Sequence, residues 1–264
     1  MLAEPEIERK LGLAAALSEA GLRLGVEPRF EAGVSARPAR PACFTVAGPL
    51  ETPQRPDLRD ARGRRSLIHS IAHIELSAVE LALMAVADFP GEPQEYYADM
   101  LAIASEEVRH TRLLLARLRE LGGELGEEPL HLGLWETAAD YPDLCDRLAV
   151  VPRVLEAKGL DVSAKLRVEL RAACDERSAA ALDVVYRDEI GHVALGTKWH
   201  RLACVRRGLD PELHFLERAR RFTPRRGARK LDLEGRRRAG FTERELTQLA
   251  APLDGALPGS ATTR

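Results

Sequence analysis

The feature that most constrains the fold of this chain is a pair of Glu-x-x-His motifs. Glu107 and His110 form the first motif, and Glu189 and His192 form the second. Residues three positions apart share one face of a helix, so each motif directs a carboxylate and an imidazole toward a common point. The motifs therefore predict two helices that each present a pair of metal-ligand side chains.

A lone glutamate precedes each motif at nearly the same distance. Glu75 lies 32 residues before Glu107, and Glu156 lies 33 residues before Glu189. Ferritin-like carboxylate sites use one Glu from each of two helices and one Glu-x-x-His from each of two others. The spacing predicts two similar helical hairpins around a site for two metal ions. The six predicted ligands are Glu75, Glu107, His110, Glu156, Glu189 and His192.

The neighbours of these glutamates indicate whether each one faces a core. Helical neighbours of Glu75 are all apolar, and a buried carboxylate among such residues needs a cation or a proton. Glu107 and Glu189 also lie on largely apolar stripes. Glu156 has Arg153 on its stripe, so an ion pair with Arg153 is an alternative to metal ligation. Glu80 is an alternative to Glu75 on the same helix, or a group beside the ligands.

Four further residues are predicted to surround the ligands. Glu106 and Asp188 each lie four positions before a ligand histidine, and metal-bound imidazoles normally donate their second N–H to a carboxylate or carbonyl. In such bundles the acceptor usually lies on the opposite helix, although solvated surface charges are an alternative interpretation. His73 precedes Glu75 by two residues, and Tyr186 lies one turn before Glu189. Ordinary structural roles are the alternative for both.

A third Glu-x-x-His copy is not predicted to bind metal. Glu128 and His131 have the same spacing, but Gly126 and Pro129 lie beside them in a segment with little helical periodicity. Both residue types disfavour a helix interior. This copy is therefore assigned to a loop.

Hydrophobic periodicity and helix-ending residues divide the chain into three parts. These are an N-terminal helix and proline-rich extended arm (1–62), a four-helix bundle with a long crossover between its second and third helices (63–208), and a basic C-terminal arm and tail (209–264). The bundle helices are predicted at 64–88, 93–121, 141–158 and 175–207, with a kink at Pro152 and short helices at 164–173 and 241–250. The last dozen residues are predicted to be disordered.

Composition and charge narrow the class of protein. Aromatic residues make up 5% of the chain and charged residues 30%, which favours an all-α protein. The net charge is −2, yet residues 201–238 contain 13 Lys or Arg against 5 Asp or Glu. Such a stretch is typical of a solvated surface, and contact with RNA, an anionic substrate or an acidic partner is the alternative.

Cysteine spacing and the N-terminal residues indicate a reduced, cytoplasmic protein. The four cysteines are far apart in sequence, without the Cys-x-x-Cys spacing of zinc knuckles, and buried thiols are expected. Glu4, Glu6 and Glu8 stand where a signal peptide would be basic. No association with a membrane is expected.

Five stretches of the chain resemble a bacterial ferritin-like family catalogued as domain of unknown function 455. They are 72–75 (AHIE), 106–110 (EEVRH), 131–135 (HLGLW), 151–156 (VPRVLE) and 188–193 (DEIGHV). That family is similar to di-iron tRNA hydroxylases, which oxidise a modified adenosine side chain. The resemblance implies a di-iron centre, and it extends over most of residues 35–241.

The leading functional hypothesis is a non-haem di-iron oxidase or monooxygenase that activates dioxygen. Two iron ions are the expected cofactor, with manganese as the alternative metal, and an electron-donor protein is expected because the chain has no flavin or nicotinamide motif. The substrate class left open is a small molecule or a modified nucleoside, and a homodimer is also left open. Two other hypotheses are a metal-handling or peroxide-detoxifying protein without organic substrate, and an RNA-binding protein that uses the basic arm.

Overall fold

The computed structural model describes residues 1–24, 37–48, 57–222 and 230–251. Within these ranges the chain is helical, which confirms the all-α prediction, and its β pairing is limited to one isolated bridge between Val46 and Leu130. The α-helices are α1 (Ile7–Leu24), α2 (Ala61–Asp88), α3 (Gln94–Glu120), α4 (Gly133–Ala139), α5 (Leu144–Val150), α6 (Ala157–Ala172), α7 (Glu176–Arg206), α8 (Pro211–Ala219), α9 (Leu233–Arg238) and α10 (Glu243–Ala250). A π-helix (Val151–Glu156) and a 3₁₀ turn (Arg220–Phe222) complete the elements.

Backbone contacts divide the chain into two compact units. The first unit comprises Met1–Pro142 with Lys165–Asp188, and the second comprises Asp143–Ala164 with Glu189–Arg264. Helices α6 and α7 each run through a boundary between them. The three-part division derived from the sequence stays a prediction.

Helices α2 and α3 form the centre of the first unit, where they pack along each other and α1 packs on α3. Asp60 caps α2 by accepting a hydrogen bond from the Arg62 N–H, and α2 ends before Gly91, whose φ is 85°. A glycine tolerates this left-handed conformation without the clash that a Cβ would cause. Both helices lie within a few residues of their predicted bounds.

Helix α2 is buried along most of its length. By length and composition it is the one helix among the described residues that is apolar enough to cross a membrane, and 72% of its most apolar window is buried. Burial of this kind is the pattern of a core helix. The carboxylates of Glu75 and Glu80 on this helix are both buried.

Glu80 belongs to a buried ion-pair group rather than to the predicted metal site. Lys10 Nζ lies 2.7 Å from Glu80 Oε1, and Arg40 makes a bidentate contact with the two carboxylate oxygens at 2.6 and 2.8 Å. All three side chains are almost fully buried. The group holds α1 and the arm residues 37–48 onto α2. Arm residues 25–36 and 49–56 lie outside the described residues.

The third predicted helix extends further than the sequence indicated. Helix α5, the π-helix and α6 follow one another without a break, so the predicted helices at 141–158 and 164–173 form one continuous segment. Pro152 stands at the start of the π-helix, where it lacks the N–H of an ordinary helix residue. A local π-turn accommodates that loss and lets the chain remain helical.

Pro152 packs against a glycine of α7, and this contact makes a testable prediction. A Cβ on Gly196 would lie 2.2 Å from Pro152 Cβ and 2.5 Å from Cγ, atoms of a ring that cannot rotate away. Gly196→Ala is expected to lower the free energy of unfolding by about 1–3 kcal/mol in urea titrations, through overpacking. Gly159→Ala on α6, where a Cβ meets open space, is the control and is expected to stabilise by about 0.5–1 kcal/mol. Equal effects of the two substitutions would contradict this packing.

Much of the predicted basic arm is helical and internally paired. Residues 211–222 and 233–250 form short helices: α10 lies where a short helix is predicted at 241–250, whereas α8 and α9 are not among the predicted helices. The segments are too short for a clear periodicity, although Thr242 and Glu245 form a capping box at α10. Several arginines are paired inside the second unit; the pairs are Arg207–Asp143, Arg218–Asp146, Arg236–Asp161, Arg237–Glu243 and Arg244–Glu212. The predicted disordered tail beyond residue 251 lies outside the described residues.

Candidate metal centre

Three of the predicted ligands meet inside the first unit. Glu75 comes from α2, while Glu107 and His110 come from consecutive turns of α3. His110 Nδ1 lies 3.3 Å from Glu75 Oε2 and 3.2 Å from Glu107 Oε2. Glu107 and His110 have no exposed surface, and Glu75 is 5% exposed. The convergence follows from the three-residue spacing on α3 and from the close packing of α2 along it.

Helix α7 adds a third carboxylate, that of Glu189, to this group. Asp188 is the last residue of the first unit and Glu189 is the next residue of the same unbroken helix. Ligand atoms of Glu75, Glu107, His110 and Glu189 lie within 4.8 Å of one another, and all four residues are buried. Three carboxylates and one imidazole at this separation form a group that could hold a metal ion.

The neighbouring carboxylates strongly shift the pKa of His110. Burial lowers the pKa of His110, but hydrogen bonds and charge from Glu107 and Glu75 outweigh burial and raise it to about 10. The buried carboxylates thus require positive charge close by. A protonated His110 and a metal cation are alternative ways to supply it.

Asp188 orients the imidazole of His110. His110 Nε2 lies 3.1 Å from Asp188 Oδ2, and Arg109 donates a 2.7 Å hydrogen bond to the same oxygen. Because a carboxylate accepts the Nε2 proton, Nδ1 is the nitrogen that faces Glu75 and Glu107. Asp188 therefore contacts the histidine of the opposite helix, as the sequence pattern predicts. Arg109, which sequence reasoning did not single out, holds the carboxylate in place.

Removing the charge of Asp188 is expected to weaken metal binding without removing a ligand. Asp188→Asn should reduce affinity for iron or manganese by about 10–100-fold, because the amide no longer fixes the His110 tautomer. Competition with a chelating dye measures this change. Asp183→Asn on the same helix, whose carboxylate pairs with Arg167 instead, is the control. Unchanged affinity in Asp188→Asn would show that His110 is not held as a ligand.

The remaining two predicted ligands lie in the second unit and outside the four-residue group. His192 is buried, and its Nδ1 lies 3.8 Å from Glu189 Oε1. Glu156 is half-buried at the end of the π-helix. The complete six-ligand set stays a prediction.

Arg153 does not provide the alternative partner proposed for Glu156. Its guanidinium is fully buried, donates a 2.7 Å hydrogen bond to Glu245 and lies over the ring of Phe215 at 3.8 Å. The sequence places Arg153 near Glu156 on a regular helix, but the π-turn changes this register and α10 supplies a different carboxylate. Arg153 therefore forms its ion pair with Glu245 and not with Glu156, which was the alternative interpretation of the sequence.

The other predicted neighbours of the ligands have partners of their own. Glu106 lies 4.0 Å from Arg109 on a partly exposed surface. His73 is buried, accepts a hydrogen bond from the His131 N–H and packs edge-on against the His131 ring. Arg167 lies 3.8 Å above the half-buried ring of Tyr186. The discounted third motif lies in the loop before α4, where Ser66 donates to Glu128.

His69, one turn before His73, gives the first unit a pH-dependent stability. Its Nε2 accepts a 3.0 Å hydrogen bond from the Gly126 N–H, and burial lowers its pKa against the opposing charges of Glu128 and Glu127. This stabilisation is fully present above the pKa near 6.5 of an unfolded histidine and is lost as pH falls below it. In His69→Gln the free energy of unfolding is expected to fall less steeply between pH 7.5 and 5 than in the wild type. Parallel pH profiles would contradict this assignment.

Sequence reasoning missed a second convergent group. His200, Cys204 and His214 are buried in the second unit, with ligand atoms within 4.8 Å of one another. His200 and Cys204 are four residues apart on α7, a spacing that puts them on one helical face, but His214 comes from α8. The four-residue spacing of His200 and Cys204 was the feature of the sequence that could have indicated this group.

Comparison with known proteins places the chain in a family. The family model described as "Protein of unknown function (DUF455)" matches residues 3–247. An uncharacterised protein of Haemophilus influenzae is 35% identical over 221 residues, which cover 81% of this chain and 75% of the relative. No solved structure matches the chain. The match over nearly the whole length, including both Glu-x-x-His helices, shows that this chain belongs to the DUF455 family.

Proposed function

We propose that this protein is a ferritin-like, non-haem di-iron oxidase or monooxygenase. The observation that carries the proposal is the convergence of three buried carboxylates and one imidazole from α2, α3 and α7. Carboxylate and imidazole donors suit divalent iron or manganese, and paired Glu-x-x-His helices suit two such ions. The donor set therefore fits the expected cofactor.

The four grouped residues would hold the metals together with Glu156 and His192. Iron bound there would supply dioxygen activation and the oxidation of a C–H bond. The residues of the chain would position the metal ligands and exclude water from them. Asp188 fixes the tautomer of His110, and the complete burial of Glu107 and His110 keeps bulk water away from the reacting centre.

An electron donor and an organic substrate are part of the proposal. The sequence contains no nucleotide-binding motif, so reducing equivalents would come from a separate redox protein. A small molecule or a modified nucleoside is the proposed substrate class. Manganese is the alternative metal.

Anaerobic loading with ferrous iron followed by rapid mixing with oxygen tests the proposal. A protein-bound oxidised iron pair that returns to the ferrous state with added reductant, and consumes oxygen catalytically, is the expected result. Release of ferric iron or formation of a mineral would instead identify a metal-handling protein and overturn the oxidase assignment. Continuous conversion of peroxide to oxygen without reductant would likewise overturn it in favour of a peroxide-detoxifying role.

A further inference from the structure

The second unit contains a buried cluster of soft and borderline metal ligands that the di-metal site does not use. His200 Nε2 lies 3.1 Å from His214 Nδ1, and Cys204 Sγ lies 3.4 Å from His200 Nε2. All three side chains are buried, and the Cys145 thiol on α5 is hydrogen-bonded to Cys204. Three donors from α7 and α8 thus gather in one place, with the Cys145 thiol beside Cys204.

The separations match the edges of a small coordination polyhedron. Zinc–nitrogen bonds of about 2.0–2.1 Å and zinc–sulfur bonds of about 2.3 Å give tetrahedral edges of about 3.3 Å between nitrogens and about 3.6 Å between nitrogen and sulfur. The observed 3.1 and 3.4 Å are within about 0.3 Å of these values. A hydrogen bond between His200 and His214 alone would not require Cys204 to approach the same nitrogen.

His214 is already oriented as a ligand. Its Nε2 lies 3.0 Å from Asp146 Oδ1, so a proton on Nε2 leaves the Nδ1 lone pair facing the cluster. Metal-binding histidines are commonly held in this way by a carboxylate. Burial and the charge of Arg218 lower the pKa of His214, which keeps the ring neutral.

His200 must exchange its tautomer. Arg153 Nη1 lies 3.1 Å from His200 Nδ1, and a hydrogen bond there places the ring proton on Nε2. Metal binding at Nε2 moves that proton to Nδ1, where it faces an N–H of Arg153, so the Nη1 group must turn away from the ring and this hydrogen bond is lost. Arg153 keeps its ion pair with Glu245 and its contact with Phe215. This hydrogen bond and the displacement of the Arg153 Nη1 group are the cost of forming three metal–ligand bonds.

We propose that His200, Cys204 and His214 bind one zinc ion. The mixed sulfur and imidazole donors favour zinc over the harder ions that suit the carboxylate site. Binding replaces the thiol proton of Cys204, whose pKa is raised to about 12 by burial and by Cys145. The ion would join α7 and α8 in the second unit.

Cobalt(II) is the probe, because cobalt bound to thiolate has a strong near-ultraviolet charge-transfer band that carboxylate sites lack. The protein carries Glu107→Gln to disable the carboxylate group, and it is titrated with cobalt and then with zinc. One equivalent of cobalt giving the thiolate band, followed by its loss on displacement by zinc, is the expected result. Absence of the band, or failure of zinc to displace cobalt, would overturn the proposal. This test needs no substitution in the cluster itself.

Two cysteine variants locate the band. Cys204→Ser is expected to abolish it, while Cys174→Ser, which changes an exposed cysteine, is expected to leave it unchanged. The reverse pattern would assign the band to a surface thiol and refute the buried site. His214→Gln provides a second test if Cys204→Ser does not fold. A full-strength band with unchanged affinity in that variant also refutes the site.

Discussion

Glu107→Gln is expected to reduce bound iron from about two equivalents per chain to less than half an equivalent after anaerobic loading. The Glu107 carboxylate is fully buried and lies 3.2 Å from His110 Nδ1, at the centre of the four-residue group. Glutamine preserves the shape of the side chain but removes the negative charge that a divalent ion requires. Oxygen consumption in the presence of reductant should be lost together with the metal.

Glu128→Gln is the matched control for this experiment. Glu128 belongs to a third Glu-x-x-His sequence with the same spacing, but it accepts a hydrogen bond from Ser66 in a loop. Metal content should remain at the wild-type level in this variant. Full iron content in Glu107→Gln, measured by elemental analysis, would refute the carboxylate site and the proposed function with it.

Glu80→Gln is expected to lower the free energy of unfolding by about 3–5 kcal/mol. Its carboxylate neutralises Lys10 and Arg40, and all three side chains are almost completely buried. The variant leaves two buried cations without the negative charge that offsets their desolvation. Urea denaturation monitored by circular dichroism measures the loss.

An exposed ion pair provides the comparison. Glu169 lies 3.2 Å from Lys165 on α6, and both side chains face solvent. Glu169→Gln should leave the urea midpoint unchanged within experimental error, because exposed pairs contribute little. A small effect of Glu80→Gln, comparable to that of the control, would show that the buried group does not hold α1 on α2.

The long helices could be predicted from sequence because their signals are local. Apolar runs and the helix-ending Gly91 and Gly122 set the bounds of α2 and α3 within a few residues. The grouping of Glu75, Glu107, His110 and Glu189 could also be predicted, since a fixed spacing on each helix combines with a repeated distance between helices.

Contacts between distant residues could not be predicted in the same way. Glu80 resembles Glu75 in its apolar helical surroundings, and only the folded position of Lys10 and Arg40 separates the two. The partner of Arg153 lies 92 residues away on α10, in a segment whose short helices have weak periodicity. The sequence also gives no sign that the residues around Pro152 form a π-helix.

The distance between Arg153 and Glu245 has a consequence for the order of events during translation. A ribosome releases the π-helix, with Arg153 and the predicted ligand Glu156, long before it releases α10, which carries the counter-ion of Arg153. Burying an uncompensated guanidinium is costly, so a nascent chain that lacks α10 is expected to pack Arg153 less stably. Premature termination before residue 243 is therefore expected to yield a chain in which Arg153 lacks its counter-ion.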